Sequence, residues 1–110
     1  MSFEVEALTP FLRALKRLSK KYRSLKDDVA VLGDVLAIDP FHGVALGNNC
    51  FKIRLAVSSK GKGKSGGARV ITCVKVSGRK VFLLDIYDKS ESDSLSPKHL
   101  ERLVALVPSG

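Results

Sequence analysis

The sequence predicts an α+β fold, with an N-terminal strand and a helical hairpin packed on a mainly antiparallel sheet and a short helix at the C-terminus. Three observations carry this. Apolar residues recur at helical spacing between Thr9 and Ile38. The period changes to two between Phe51 and Tyr87. A Ser-Pro pair at Ser96-Pro97 then restarts a helical pattern. With 110 residues, 45% hydrophobic and 27% charged, residues 1–110 form one domain with a core of its own.

Phe3, Val5 and Ala7 alternate with Glu4 and Glu6, a short strand with a polar outer face. Thr9-Pro10 reads as a helix start, Thr as N-cap and Pro at the first helical position. Phe11, Leu15, Leu18 and Tyr22 form the apolar stripe of that helix, and basic residues fill its other faces. Ser24 reads as a second N-cap, with Asp27 and Asp28 where the helix dipole favours negative charge. Leu25, Val29, Leu32 and Leu36 make the second stripe, which must end before Asp39-Pro40. Phe41–Asn49 reads as a loop, rich in Gly and Asn. Strands follow at Phe51–Val57, Ala68–Val76 and Val81–Tyr87. A Gly/Ser/Lys segment, Ser58–Gly67, joins the first two. Because these strands follow one another directly, their sheet is antiparallel, with the helices along one face.

Charge narrows the function. Lys plus Arg number 19 against 11 acids, a net charge of +8. Seven basic residues and no acid lie between Phe11 and Lys26, and nine basic residues and no acid between Cys50 and Lys80. Such a chain attracts polyanions, nucleic acid first. The longest apolar runs are far too short to span a membrane, no signal peptide is evident, and the expected compartment is the cytoplasm. Cys50 and Cys73 fit no metal-ligand spacing, so no metal and no cofactor is expected. Both read as small, reduced core residues.

Three constellations carry chemistry. Lys60, Lys62 and Lys64 alternate with glycine and supply charge beside a backbone that can approach phosphate. This is not a Walker A loop, because Ser58 stands at the first glycine and a strand follows. Lys52, Arg54 and Arg69 fall on one sheet face if the strands from Phe51 and Ala68 pair, and that face must meet solvent or a polyanion. Tyr87 and Lys89, at the end of the last strand, can reach a substrate lying on the sheet. Each of these also fits an ordinary solvated surface. His42 and His99 sit in a loop and a helix, with no sign that they form a two-histidine site.

The run from Phe51 to Ile71, containing KSGGARVI, continued by LLDIYDKSE from Leu83 to Glu91, resembles the RelE/HigB toxins of bacterial type II toxin–antitoxin modules. The resemblance implies a small RelE-like, microbial-RNase-like fold and ribosome-dependent cleavage of mRNA without metal, through attack of a ribose 2′-OH on the adjacent phosphate. It implies contact with mRNA and rRNA, and neutralisation by a cognate antitoxin, often one with a helix-turn-helix DNA-binding domain. Carried onto this sequence, it gives catalytic positions Lys52, Arg54, Arg69, Tyr87 and Lys89, with Lys60, Lys62 and Lys64 binding RNA. The pattern departs after Lys89, where Ser90-Glu91-Ser92-Asp93 replaces further basic and aromatic residues. Two alternatives share the fold: a non-catalytic RNA- or ribosome-binding module, and a ParE-like gyrase inhibitor.

Overall fold

Five strands form one sheet in the computed structural model, which describes residues 2–61, 63–92 and 94–108. In chain order the elements are β1 (Glu4–Ala7), α1 (Thr9–Ser19), α2 (Leu25–Ile38), β2 (Val44–Gly47), β3 (Cys50–Leu55), a single turn α3 (Gly63–Gly66), β4 (Ala68–Lys75), β5 (Lys80–Asp88) and α4 (Pro97–Val104). The strand order is β1-β5-β4-β3-β2. Only the β1–β5 pairing is parallel; α1 and α2 carry the chain from β1 at one edge of the sheet to β2 at the other.

Helices α1 and α2 lie on one face of the sheet. Phe11, Leu18, Leu25, Leu32 and Leu36 pack there against Ile53, Leu55, Val70, Val74, Val81, Leu83 and Ile86. Helix α4 lies on the other face, where Leu103 packs with Cys50, Ile71, Cys73, Phe82, Leu84 and Tyr87. The expectation of helices along one face is corrected by this: β4 and β5 are apolar on both sides, so each face demands a cover.

The segment expected as a loop, Phe41–Asn49, contains strand β2. It pairs antiparallel with β3 through a turn at Asn48 and Asn49, both with positive φ (54° and 59°), the backbone a two-residue hairpin favours. The strand is exposed along its length, so no apolar alternation marks it. Helix α1 is already helical at Thr9, with Leu8 as its cap and Pro10 at the second position. It stops at Ser19, which leaves Tyr22 in the connection. Ser24 precedes α2 without capping it. Its hydroxyl donates instead to Asp28, at 2.8 Å, and accepts from the Ser59 N–H, also at 2.8 Å. Ser96 does cap α4, accepting from the His99 N–H at 3.2 Å.

One residue in β5 decides which side chains face which way. The β4–β5 register runs Ile71↔Asp85 and then Thr72↔Leu83, so Leu84 is an extra residue. Such a bulge reverses the alternation beyond it. Val81, Leu83 and Ile86 face α1 and α2, whereas Phe82, Leu84 and Tyr87 face α4. Without the bulge, Tyr87 would stand with Val81 and Leu83 among the helices.

Candidate nucleic-acid interface

The re-aimed Tyr87 completes a row. In the sheet register Arg54 pairs with Arg69, and Arg69 with Tyr87. Three side chains from three strands therefore stand side by side on the α4 face, at the roughly 4.8 Å spacing of neighbouring strands. The next row holds Lys52, Ile71 and Asp85. Period two thus puts Lys52, Arg54 and Arg69 on one face.

Their surroundings differ. Arg54 is exposed and lines a cavity at the sheet edge with Asp28, Val31, His42 and Lys64. Lys52 is half-buried and lines a second cavity with Leu46, Leu95, Pro97 and Leu100. Arg69 is only 4% exposed. Its Nη1 donates to the carbonyl oxygens of Lys64, at 3.0 Å, and Ala68, at 3.1 Å. The expectation that it faces solvent is corrected by these contacts: a guanidinium has donors enough to hold carbonyls beneath a turn without an unmet charge. Tyr87 is also largely buried. Lys89 follows β5 directly, and its N–H donates to the Gly67 carbonyl at 3.1 Å, so it sits at the entrance to β4.

The three loop lysines do not act alike. The side chain of Lys64 is exposed beside Arg54. Lys62 lies outside the described residues. Lys60 is turned away from the row: its Nζ sits 2.6 Å from Asp88 Oδ1 and the side chain is 8% exposed. Within the folded chain the Lys60 charge is thus met by Asp88, whereas that of Lys64 is presented to solvent. Asp88 also accepts from the Tyr22 hydroxyl at 2.6 Å and from the N–H and hydroxyl of Ser90 at 3.0 and 2.8 Å. Burial alone would raise the Asp88 carboxyl. Lys60, Tyr22 and Ser90 outweigh it and hold the group well below the ordinary carboxylate range. Gly67 belongs to the same corner. A Cβ there would fall 2.1 Å from the Leu55 carbonyl oxygen, so glycine is required for β3 and β4 to meet.

Sequence reasoning passed over Asp85. Burial pushes its carboxyl up, against the opposing effects of the Ile86 N–H, His99 and Arg17. His99 Nε2 lies 3.9 Å away. A carboxyl and an imidazole beside a basic row are groups that can move protons. The only signal in the sequence was the parity of β5, which the bulge reverses. His42 pairs separately, with Asp39 at 3.2 Å.

No protein-family model matches the chain. Its fold is that of RelE-like toxins. The E. coli toxin RelE, in the free state of a double arginine-to-alanine mutant, superposes with a TM-score of 0.65 at 14% identity, covering 98% of this chain and 100% of that one. A chain of the RelBE2 toxin–antitoxin complex from Mycobacterium tuberculosis gives 0.57 at 16% identity, over 80% and 92%. A conserved hypothetical protein from Helicobacter pylori gives 0.54 at 19% identity, over 81% and 97%. Among the described residues no helix is long and apolar enough to cross a membrane.

Proposed function

We infer that the chain is a toxin of a toxin–antitoxin pair that cuts mRNA on the ribosome and is silenced by a cognate antitoxin. The observation that carries this reading is the Arg54–Arg69–Tyr87 row on a RelE-like sheet, with Lys52 in the adjoining row. The reaction is attack of a ribose 2′-OH on the neighbouring phosphate. A base takes the 2′ proton, an acid protonates the departing 5′ oxygen, and cations stabilise the phosphorane between. Arg54, exposed at the rim, binds the phosphate backbone. Arg69, anchored by the carbonyls of Lys64 and Ala68, supplies a fixed positive charge beside it. Tyr87 and Lys52, with Asp85 and His99 behind them, are the groups for proton transfer. Lys64 and Lys89 extend the cationic track.

The burial of Arg69 also favours a second reading, a ribosome-binding inhibitor that does not cut. Mapping mRNA 5′ ends in a reconstituted translation reaction separates the two. Cutting predicts new ends that require ribosomes and vanish with Arg69→Ala. Blocked translation with no new ends overturns cleavage and supports the inhibitor. Translation that runs on uncut overturns both.

A further inference from the structure

Cys50 and Cys73 belong to no part of the site described above. They are direct cross-strand partners in the β3–β4 ladder, and both are free thiols. The hydrogen bonds around them fix the type of pair. The Val74 N–H donates to the Asn49 carbonyl at 2.8 Å, so the bond is made by the residues flanking the cysteines rather than by the cysteines themselves. This is a non-hydrogen-bonded pair, the closer of the two antiparallel kinds, with Cα atoms about 4.5 Å apart and side chains converging. That separation lies at the short end of the range a disulfide spans, about 4.4–6.8 Å. The sulfurs converge on one acceptor as well: Cys50 Sγ and Cys73 Sγ lie 3.6 and 4.0 Å from the Asn48 carbonyl oxygen.

The two thiols differ in access. Cys50 is fully buried. Cys73 lines a cavity bounded by Asn48, Asn49, Lys75, Val104 and Val107, wide enough to admit a small oxidant. We propose that Cys50 and Cys73 form a peroxide-responsive dithiol that closes to an intrachain disulfide across β3 and β4, with Cys73 as the attacking sulfur. The electrostatics agree. Once one proton leaves, the remaining S–H donates to the bared sulfur, and the Lys75 charge favours Cys73 as the thiolate, so its pKa is lowered while that of Cys50 is raised.

The chemistry balances with hydrogen peroxide as the oxidant. The Cys73 thiolate attacks one peroxide oxygen; an S–O bond forms, the O–O bond breaks, and hydroxide leaves. The Cys50 sulfur then attacks the sulfenic sulfur. An S–S bond forms, the S–O bond breaks, and the departing hydroxide takes the Cys50 proton as water. Two thiols are oxidised by two electrons and one peroxide is reduced to two waters.

The test uses the reduced full-length chain and needs no RNA. After treatment with hydrogen peroxide, the protein is quenched, denatured, alkylated and mapped without reductant. The expected result is loss of both alkylatable thiols, a peptide linking Cys50 to Cys73 within one chain, and full recovery with dithiothreitol. In Cys50→Ala, dimedone should trap a sulfenic acid on Cys73. Two thiols that stay alkylatable under peroxide overturn the proposal, as does a link formed only between chains or only in denaturant. Cys73→Ala that accumulates dimedone adduct on Cys50 as fast as the reverse variant does on Cys73 overturns the choice of attacking sulfur.

Discussion

Tyr87 and Asp88 are neighbours in the chain and serve opposite faces of the sheet. Tyr87 stands with Arg54 and Arg69 on the α4 face. Asp88 points among the helices and gathers Tyr22, Lys60 and Ser90. On the helix side a single carboxylate answers the positive charge around it, so the charge there holds the fold. On the α4 side, Arg54 and Arg69 share a row with Tyr87: Arg69 is buried under the Gly63–Gly66 turn, and Arg54 presents its charge to solvent. The same residue types therefore do different work according to which face of the sheet they fall on.

The sharpest way to test this contrast is to remove Asp88. Asp88→Ala leaves the Lys60 ammonium buried without its counterion and takes the Tyr22 hydroxyl's acceptor. Stability should fall by about 3–5 kcal/mol, the usual cost of breaking a buried pair. Urea unfolding monitored by circular dichroism measures it. The pH dependence follows the same sign. The Asp88 carboxyl is depressed in the folded chain, so its contribution is present in full above about pH 4 and drains away as the pH falls further. Asp85 runs the other way, since burial raises it: its cost appears as the pH rises above about 4. Asp85→Asn should therefore stabilise the chain at pH 7, where Asp88→Asn destabilises it. Equal effects of the two substitutions would erase the distinction between the faces.

Arg54→Ala is the counterpart on the α4 face. Arg54 is exposed, so its loss should move stability by no more than about 0.5 kcal/mol. If it contacts the reacting phosphate, ribosome-dependent cleavage should fall by about 10²–10³-fold, the range for removing one preorganised electrostatic contact. Initial rates from 5′-end mapping supply the number. A large loss of stability with unchanged cleavage would put Arg54 in the scaffold.

Gly67 stands where the two regions join, beside Leu55 and the Lys60–Asp88 pair. Gly67→Ala would drive a methyl group into the Leu55 carbonyl. Parting β3 from β4 to admit it should cost about 1–3 kcal/mol, as overpacking does. Amide exchange should quicken at the Arg54–Arg69 end of the ladder more than at Cys50–Cys73. Uniform exchange along the ladder would mean the strain is relieved elsewhere.

Much of the architecture was legible from periodicity, because α1 and β3 each carry one apolar stripe and one basic one, and α2 carries an apolar stripe with acids in its first turn. The shared face of Lys52, Arg54 and Arg69 followed from period two once the strands from Phe51 and Ala68 were taken to pair, as β3 and β4 do. Strand β2 was hidden because an exposed edge strand buries neither face and shows no alternation. The inward turn of Lys60 was hidden for another reason: a lysine among glycines looks solvated until its partner, Asp88, is brought across from β5. The role of Asp85 was out of reach because one extra residue at Leu84 reverses parity, and a bulge leaves no mark on composition. Long-range pairing, not local propensity, decided each of these.

The smallest expected effect is a control on the helix side. Gly33 lies within α2, and a Cβ added there meets nothing within 4 Å. Glycine inside a helix costs about 1 kcal/mol against alanine, largely through the freedom it keeps when unfolded. Gly33→Ala should therefore raise stability by about 0.5–1 kcal/mol, read from the urea midpoint at unchanged slope. Cleavage should stay at the parent level, since the added methyl touches neither Asp88 nor the basic row. If Gly33→Ala lowers cleavage while raising stability, α2 must flex during the reaction. The helix face would then share in function, and the division between a holding face and a working face would fail.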